Sequence, residues 1–273
     1  MTRSYQILIV GGGAAGLATA ASLHNRDRSL EIAIVEPADK HYYQPGWTMV
    51  GAGIFQKEET CRDMDSVWPA GVERIRNAVK SFDPKNNTVT LNDKTKIGYE
   101  ILIVASGLKL DWDAIEGLTD SLGHNGVTSN YNYDLAPYTW QLVQEFQGKD
   151  AIFTMPGMPI KCAGAPQKAM YLSCDHWQKT GRLSGMNVSF CNAGPVLFGC
   201  ATYVPPLMKY VDKYGINLDF GHNLTKIDGA SKTAWFKVTK EGEEPQMIER
   251  KFDMIHVCPP QCAPDFISKS PLA

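Results

Sequence analysis

The feature that most constrains this chain lies near its start, at Ile7-Leu8-Ile9-Val10-Gly11-Gly12-Gly13-Ala14-Ala15-Gly16-Leu17. Four apolar residues read as a buried strand and run into Gly11-x-Gly13-x-x-Gly16, followed by an Ala-rich helix through Leu23. Glycine permits a tight turn and the close approach of a ligand, so backbone N–H groups and a helix N-terminus can face a pyrophosphate. Support comes from Glu31-Ile32-Ala33-Ile34-Val35-Glu36, a second strand ending in an acid twenty residues after Gly16. A carboxylate there can accept both hydroxyls of an adenosine ribose.

At 273 residues the chain has length for two domains with cores of their own, and its 44% hydrophobic content is that of a globular protein. Lysine and arginine number 27 against 29 acids, a net charge of −2 without a basic stripe, so no nucleic-acid partner is expected. Met1-Thr2-Arg3-Ser4 leads straight into the first strand. No signal or transit peptide is therefore expected, and apolar runs of four or five residues leave only peripheral membrane contact. The expected location is the cytoplasm or the cytoplasmic face of the inner membrane. Seven scattered cysteines without a secretory signal read as reduced thiols, with one or more reactive, rather than as a disulfide framework.

Beyond Glu36, the segment Pro37 to Trp47 reads as a polar and aromatic loop rather than a regular element. Thr88-Val89-Thr90-Leu91 and Tyr99 to Val104 read as strands joined by a turn at Asn92-Asp93-Lys94, and the second ends in Ala105-Ser106-Gly107, residues small enough to let backbone lie against a ligand. Strand, glycine turn, helix, acidic strand end, meander and small-residue strand indicate an FAD-type variant of the Rossmann arrangement. A helix is expected over 136–146, then a second α/β unit with strands at 151–155, 187–191 and 216–220, helices at 167–180 and 203–214, a hairpin around Glu241-Gly242-Glu243-Glu244 and a strand at 254–257.

The fold class is thus α/β with two Rossmann-like dinucleotide-binding domains; that they are of glutathione-reductase-like type, the first incomplete at its C-terminal return, is what the resemblance of the motifs to a known family implies. Expected boundaries are 1–130 for the first segment of the FAD-binding domain, 131–250 for the second domain and 251–273 for a truncated return. In the second unit, the turn where a nicotinamide cofactor would need Gly-x-Gly-x-x-Gly is assigned to Asn192 to Gly199. That pattern is absent there, and Pro195 removes an N–H donor, so no second dinucleotide site is expected.

Lys161-Cys162-Ala163-Gly164-Ala165-Pro166-Gln167-Lys168 places a cysteine between a strand and a helix, beside one lysine and six residues before another. Cations and a helix N-terminus stabilise the nucleophilic thiolate, although a lone cysteine is also commonly a small buried hydrophobe. His256, Cys258 and Cys262 have a spacing that raises zinc, but Pro259-Pro260 stiffens the loop and no fourth ligand sits at a recognisable spacing, so no metal site is expected.

The octapeptide at 161–168, with Val35-Glu36-Pro37, His41-Tyr42-Tyr43-Gln44-Pro45, Ala151-Ile152-Phe153-Thr154 and His256-Val257, resembles the sulfide:quinone oxidoreductases of the type that includes the animal mitochondrial enzymes, and does so nearly end to end. The resemblance implies a peripheral membrane flavoenzyme that oxidises sulfide, passes sulfane sulfur to a small acceptor through a cysteine persulfide, and sends two electrons through FAD to a quinone. By the same likeness, Gly11, Gly13, Ala14, Ala15 and Gly16 would hold the pyrophosphate, Glu36 the ribose, and Gln44, Val79, Ala105, Ser106 and Gly107 other parts of FAD. Cys162 would be one half of the disulfide that sulfide attacks.

Members of this family continue well beyond the point matching Ala273, with a Gly-Asp flavin contact, the second redox cysteine and amphipathic C-terminal helices. The expectation is accordingly an N-terminal portion of such an enzyme, with exposed apolar surface favouring a homo-oligomer. Cys258 and Cys262 are weighed as substitute partners for Cys162, and the family's own loop at this point does not supply the redox cysteine. The alternatives are an NAD(P)H-dependent disulfide or quinone reductase and a non-catalytic FAD-binding fragment.

Overall fold

The computed structural model describes residues 3–273. In chain order its elements begin with β1 (Arg3–Val10), α1 (Ala14–Arg26), β2 (Ile32–Val35), β3 (Lys40–Tyr42), α2 (Trp47–Val50), β4 (Cys61–Asp63), α3 (Met64–Val67), β5 (Glu73–Ile75), β6 (Val79–Asp83), β7 (Thr88–Leu91), β8 (Lys96–Val104) and β9 (Lys109–Leu110). There follow α4 (Leu118–Ser121), β10 (Val127–Thr128), α5 (Ala136–Glu145), β11 (Asp150–Met155), α6 (Ala165–Lys179), β12 (Asn187–Asn192), α7 (Val204–Tyr214), β13 (Asn217–Phe220), β14 (His222–Asp228), β15 (Thr233–Val238), β16 (Gln246–Lys251) and β17 (Met254–His256). Two compact units result: one holds the stretch through Tyr43, Cys61–Lys109 and Cys262–Ala273, the other Gln44–Thr60 and Leu110–Gln261.

In the first unit the sheet order is β5-β2-β1-β8-β7-β6. β1 runs parallel to β2 and β8, β2 parallel to β5, and β7 antiparallel to β8 and β6. Alternation along β1 explains its burial on both faces. Ile7 and Ile9 share one core with Leu17 and Ala20 of α1, while Leu8 and Val10 share the other with Val79, Phe82 and Leu91. Phe266 closes that second layer by stacking on Phe82 with ring centroids 5.8 Å apart.

The second unit is built on a parallel sheet of order β10-β17-β11-β12-β13 and an antiparallel sheet β14-β15-β16. Its main core gathers Phe153, Phe190 and Met254 from the strands with Val143, Met170, Cys174 and Trp177 from α5 and α6. The helical spacing of Met170, Cys174 and Trp177 is what puts all three inside. The polar edge of Trp177 is satisfied there, since its indole N–H donates to the Val143 carbonyl at 2.9 Å.

The units close elsewhere than at residues 130 and 250. β10 pairs with β17, and β17 with β11, so 110–130 and the stretch to Gln261 belong with the second sheet. The segment 37–47 departs from an irregular loop as well. Lys40–Tyr42 forms an antiparallel pair with Cys61–Asp63, sealed by a Lys40–Asp63 ion pair at 2.6 Å, and Trp47 opens a helical turn. Its strand partner lies about twenty residues away, which local pattern does not reveal. β14 was likewise unforeseen; its half-polar sequence becomes a strand only through pairing with β15.

Candidate functional site

In the first unit the chain runs from β1 to β2 and β5 on one side and returns to β8 on the other, so the carboxyl end of β1 is the point where strand order reverses and where such sheets bind ligands. The glycine turn sits there. Gly11 has φ +105°, and a Cβ on it would lie 2.6 Å from the Ala105 carbonyl oxygen. A Cβ on Gly16 would lie 1.9 Å from the Gly11 carbonyl oxygen. Both positions therefore require glycine. Gly13 caps α1 with no side-chain hydrogen bond and has no neighbour within 4 Å of where a Cβ would be, so open space lies in front of the helix. Its first turn carries no acid, and the N–H groups of Ala14, Ala15 and Gly16 precede any intrahelical partner.

Glu36 follows β2 and accepts two backbone N–H bonds, Gly12 at 2.6 Å and Ala38 at 2.7 Å. These fix the carboxylate beside the turn and leave further lone pairs for a ligand. After β8, Ala105 N–H donates to Val10 at 2.7 Å, the Ser106 hydroxyl is buried with no hydrogen-bond partner among the described residues, and Gly107 takes φ +73°. The turn, Glu36 and Ala105–Gly107 thus come together. Val79 starts β6 inside the core that includes Val10 and Val35. Gln44 falls in the second unit, where its side-chain oxygen accepts the Lys161 ammonium at 3.0 Å.

Strand order in the second unit places its own reversal point at the carboxyl end of β11, flanked by β12 and β17. The turn equivalent to a dinucleotide-binding turn is consequently Pro156 to Gly164, between β11 and α6, and not 192–199, which follows the second strand of the unit. Gly-x-Gly-x-x-Gly is missing from 156–164 as well, and Pro156, Pro159 and Pro166 remove donors around it. Cys162 occupies this loop. It is exposed, lies three residues ahead of α6, and takes φ +64°, a left-handed conformation uncommon outside glycine. Its carbonyl accepts the Ala165 N–H at 2.8 Å. α6 begins with Pro166 in its first turn and carries no acid there.

Two buried side chains that sequence reasoning missed hold this loop. The Tyr131 hydroxyl donates to the carbonyls of Lys161 and Cys162, each at 3.3 Å, and the Gln261 side-chain oxygen accepts the Lys161 N–H at 2.5 Å. Burial together with the neighbouring thiols pushes the Tyr131 phenol up, so it stays a donor at any working pH.

Cys258 is buried beside the same phenol, and burial pushes its thiol up to about 12, which keeps it protonated. His256 is fully buried and its Nε2 accepts the Asn130 N–H at 3.0 Å, which commits that nitrogen to the fold rather than to a metal. Among the described residues no three His, Cys, Asp or Glu side chains cluster as metal ligands, and all seven cysteines are free.

Burial lowers the His256 imidazole to about 4 from its ordinary 6.5. The unfolded chain takes up this proton first as pH falls, so stability contributed by the neutral ring is complete above pH 6.5 and is lost as pH drops towards 4. Urea unfolding is expected to show a loss of about 2 kcal/mol between pH 7.5 and pH 5 from this residue. His256→Asn should flatten that slope; an unchanged slope would show that the ring is not held neutral.

Residues 5–138, which include the glycine turn, Glu36 and Ala105–Gly107, match the pyridine nucleotide-disulphide oxidoreductase family. Over 98% of its length the chain is similar to mitochondrial sulfide:quinone oxidoreductases. It is 42% identical over 270 residues to the mitochondrial sulfide:quinone oxidoreductase of Dictyostelium discoideum, and 36% identical over 269 residues to that of Mus musculus. Each match covers 98% of this chain and 59% of the relative, so the chain spans about three fifths of their length. The structure of the Aquifex aeolicus sulfide:quinone oxidoreductase shares the fold, with TM-score 0.78 and 20% identity over 98% of this chain and 61% of that one.

Proposed function

We propose that the first unit holds FAD and that Cys162 on the second carries the oxidation of sulfide, with a quinone as final electron acceptor. The cradle supports the first part: required glycines at 11 and 16, open space at Gly13, and an orphaned Ser106 hydroxyl that a ligand would satisfy. Gly11, Gly13, Ala14, Ala15 and Gly16 hold the pyrophosphate in this reading. Glu36 takes the ribose through its remaining lone pairs, and Val79 and Ala105–Gly107 line other parts of the cofactor.

The observation that carries the second part is that an exposed cysteine in a strained backbone stands where a dinucleotide unit would place its phosphate turn. In this reading hydrosulfide would break a disulfide between Cys162 and a second thiol, displacing one of the two sulfurs as thiolate and leaving the sulfane sulfur as a persulfide on the other for a small acceptor to remove. Once the acceptor has taken the sulfane sulfur, the two thiols re-form their disulfide and give up two electrons. Bound FAD supplies the two-electron acceptor between those thiols and the quinone. Among the described residues no helix is long and apolar enough to cross a membrane, so quinone is met by peripheral contact in this reading, as the mitochondrial names of the relatives suggest.

The test is an anaerobic titration of the purified, FAD-loaded chain. Sulfide should bleach the visible flavin band and added quinone should restore it, while NADH leaves it unchanged on the same timescale. Rapid bleaching by NADH, or failure to take up FAD at all, would overturn the proposal.

A further inference from the structure

We infer that Tyr131 and Gln261 are positioning residues for Cys162, clamping the Lys161-Cys162 peptide in the left-handed turn that presents the thiol. The inference rests on the role proposed above for Cys162. A non-glycine residue at φ +64° persists only where its surroundings over-determine it, and here they do so from several sides. Ala165 N–H binds the Cys162 carbonyl from the helix, and the single Tyr131 O–H is shared between the carbonyls of Lys161 and Cys162. Gln261 takes the Lys161 N–H, and Gln44 takes the Lys161 ammonium.

Both anchors are rigid. Tyr131 is 9% exposed and Gln261 4%. The Tyr131 N–H donates to the Ser129 hydroxyl at 3.1 Å, and the preceding Asn130 N–H donates to His256 on β17. Gln261 follows β17 by five residues. The thiol loop, which leaves β11, is therefore gripped by groups that descend from β10 and β17, the strands on the far side of the reversal point from β12. Releasing the clamp lets residue 162 relax into ordinary backbone regions, which changes the direction in which its thiol is presented.

Tyr131→Phe removes one O–H and keeps the ring; Gln261→Met removes one acceptor and keeps the length. Iodoacetamide alkylation followed by peptide mass spectrometry reads Cys162 against Cys200, an exposed thiol in the same chain. Each variant is expected to lower the Cys162-to-Cys200 rate ratio by about fivefold, the size of one ordinary hydrogen bond, with melting shifted by no more than roughly 4 °C. An unchanged or raised ratio would overturn the inference, as would parallel labelling of buried Cys174 and Cys191, which marks general loosening. The assay involves neither sulfide nor flavin, so its failure leaves the functional proposal to its own titration.

Discussion

Cys162→Ser is expected to slow sulfide-driven bleaching of bound FAD by about 10³-fold or more, with flavin content per chain unchanged. Serine fits the same left-handed position and keeps the hydrogen bonds of the loop, because those bonds use backbone carbonyl and amide groups. What it lacks is a sulfur able to form a disulfide or carry sulfane sulfur. Stopped-flow absorbance under anaerobic conditions measures the effect. Cys258→Ser provides the contrast: that thiol is buried and held protonated by a value near 12, so its loss should leave the rate within about threefold of the parent chain. Bleaching that survives Cys162→Ser at the parent rate would remove the residue from the chemistry.

The second large effect concerns the glycine turn, where two glycines of one motif should respond differently. Gly13→Ala adds a methyl at a position with φ −72° and nothing within 4 Å, so the chain without cofactor should melt as before. That methyl enters the space assigned to the pyrophosphate, and FAD affinity should fall about tenfold or more, a difference of about 1.4 kcal/mol. Gly16→Ala forces a methyl to 1.9 Å from the Gly11 carbonyl oxygen, and should destabilise the first unit by about 3 kcal/mol before any ligand is added. Flavin fluorescence titration and urea unfolding separate the two cases. Normal FAD affinity in Gly13→Ala would place the pyrophosphate elsewhere.

The first unit was readable because its site is local. Strand, turn, helix and acid fall within thirty-six residues, and Gly11 and Gly16 answer to contacts within that unit. Locating the second site required strand order. Which of two turns lies at the reversal point depends on β17 pairing beside β11 from a hundred residues away, so the turn after β12 was mistaken for the one after β11. Tyr131 and Gln261 escaped for the same reason: they reach the thiol loop across 31 and 100 residues and carry no motif. The Cys162 loop itself was legible through its octapeptide, but its left-handed backbone was not, since the usual signal for such a conformation is glycine.

A consequence of the proline-bearing loop after β11 concerns traffic rather than structure. In related folds that admit a hydride carrier, the phosphate turn of the second unit is the carrier's mooring; under the proposed reading that place is given to a single sulfur atom. A cell's large pool of reduced nicotinamide then meets an insulated terminal. Electrons entering the quinone pool by this route would report sulfide supply alone, undiluted by the general reducing state of the cell.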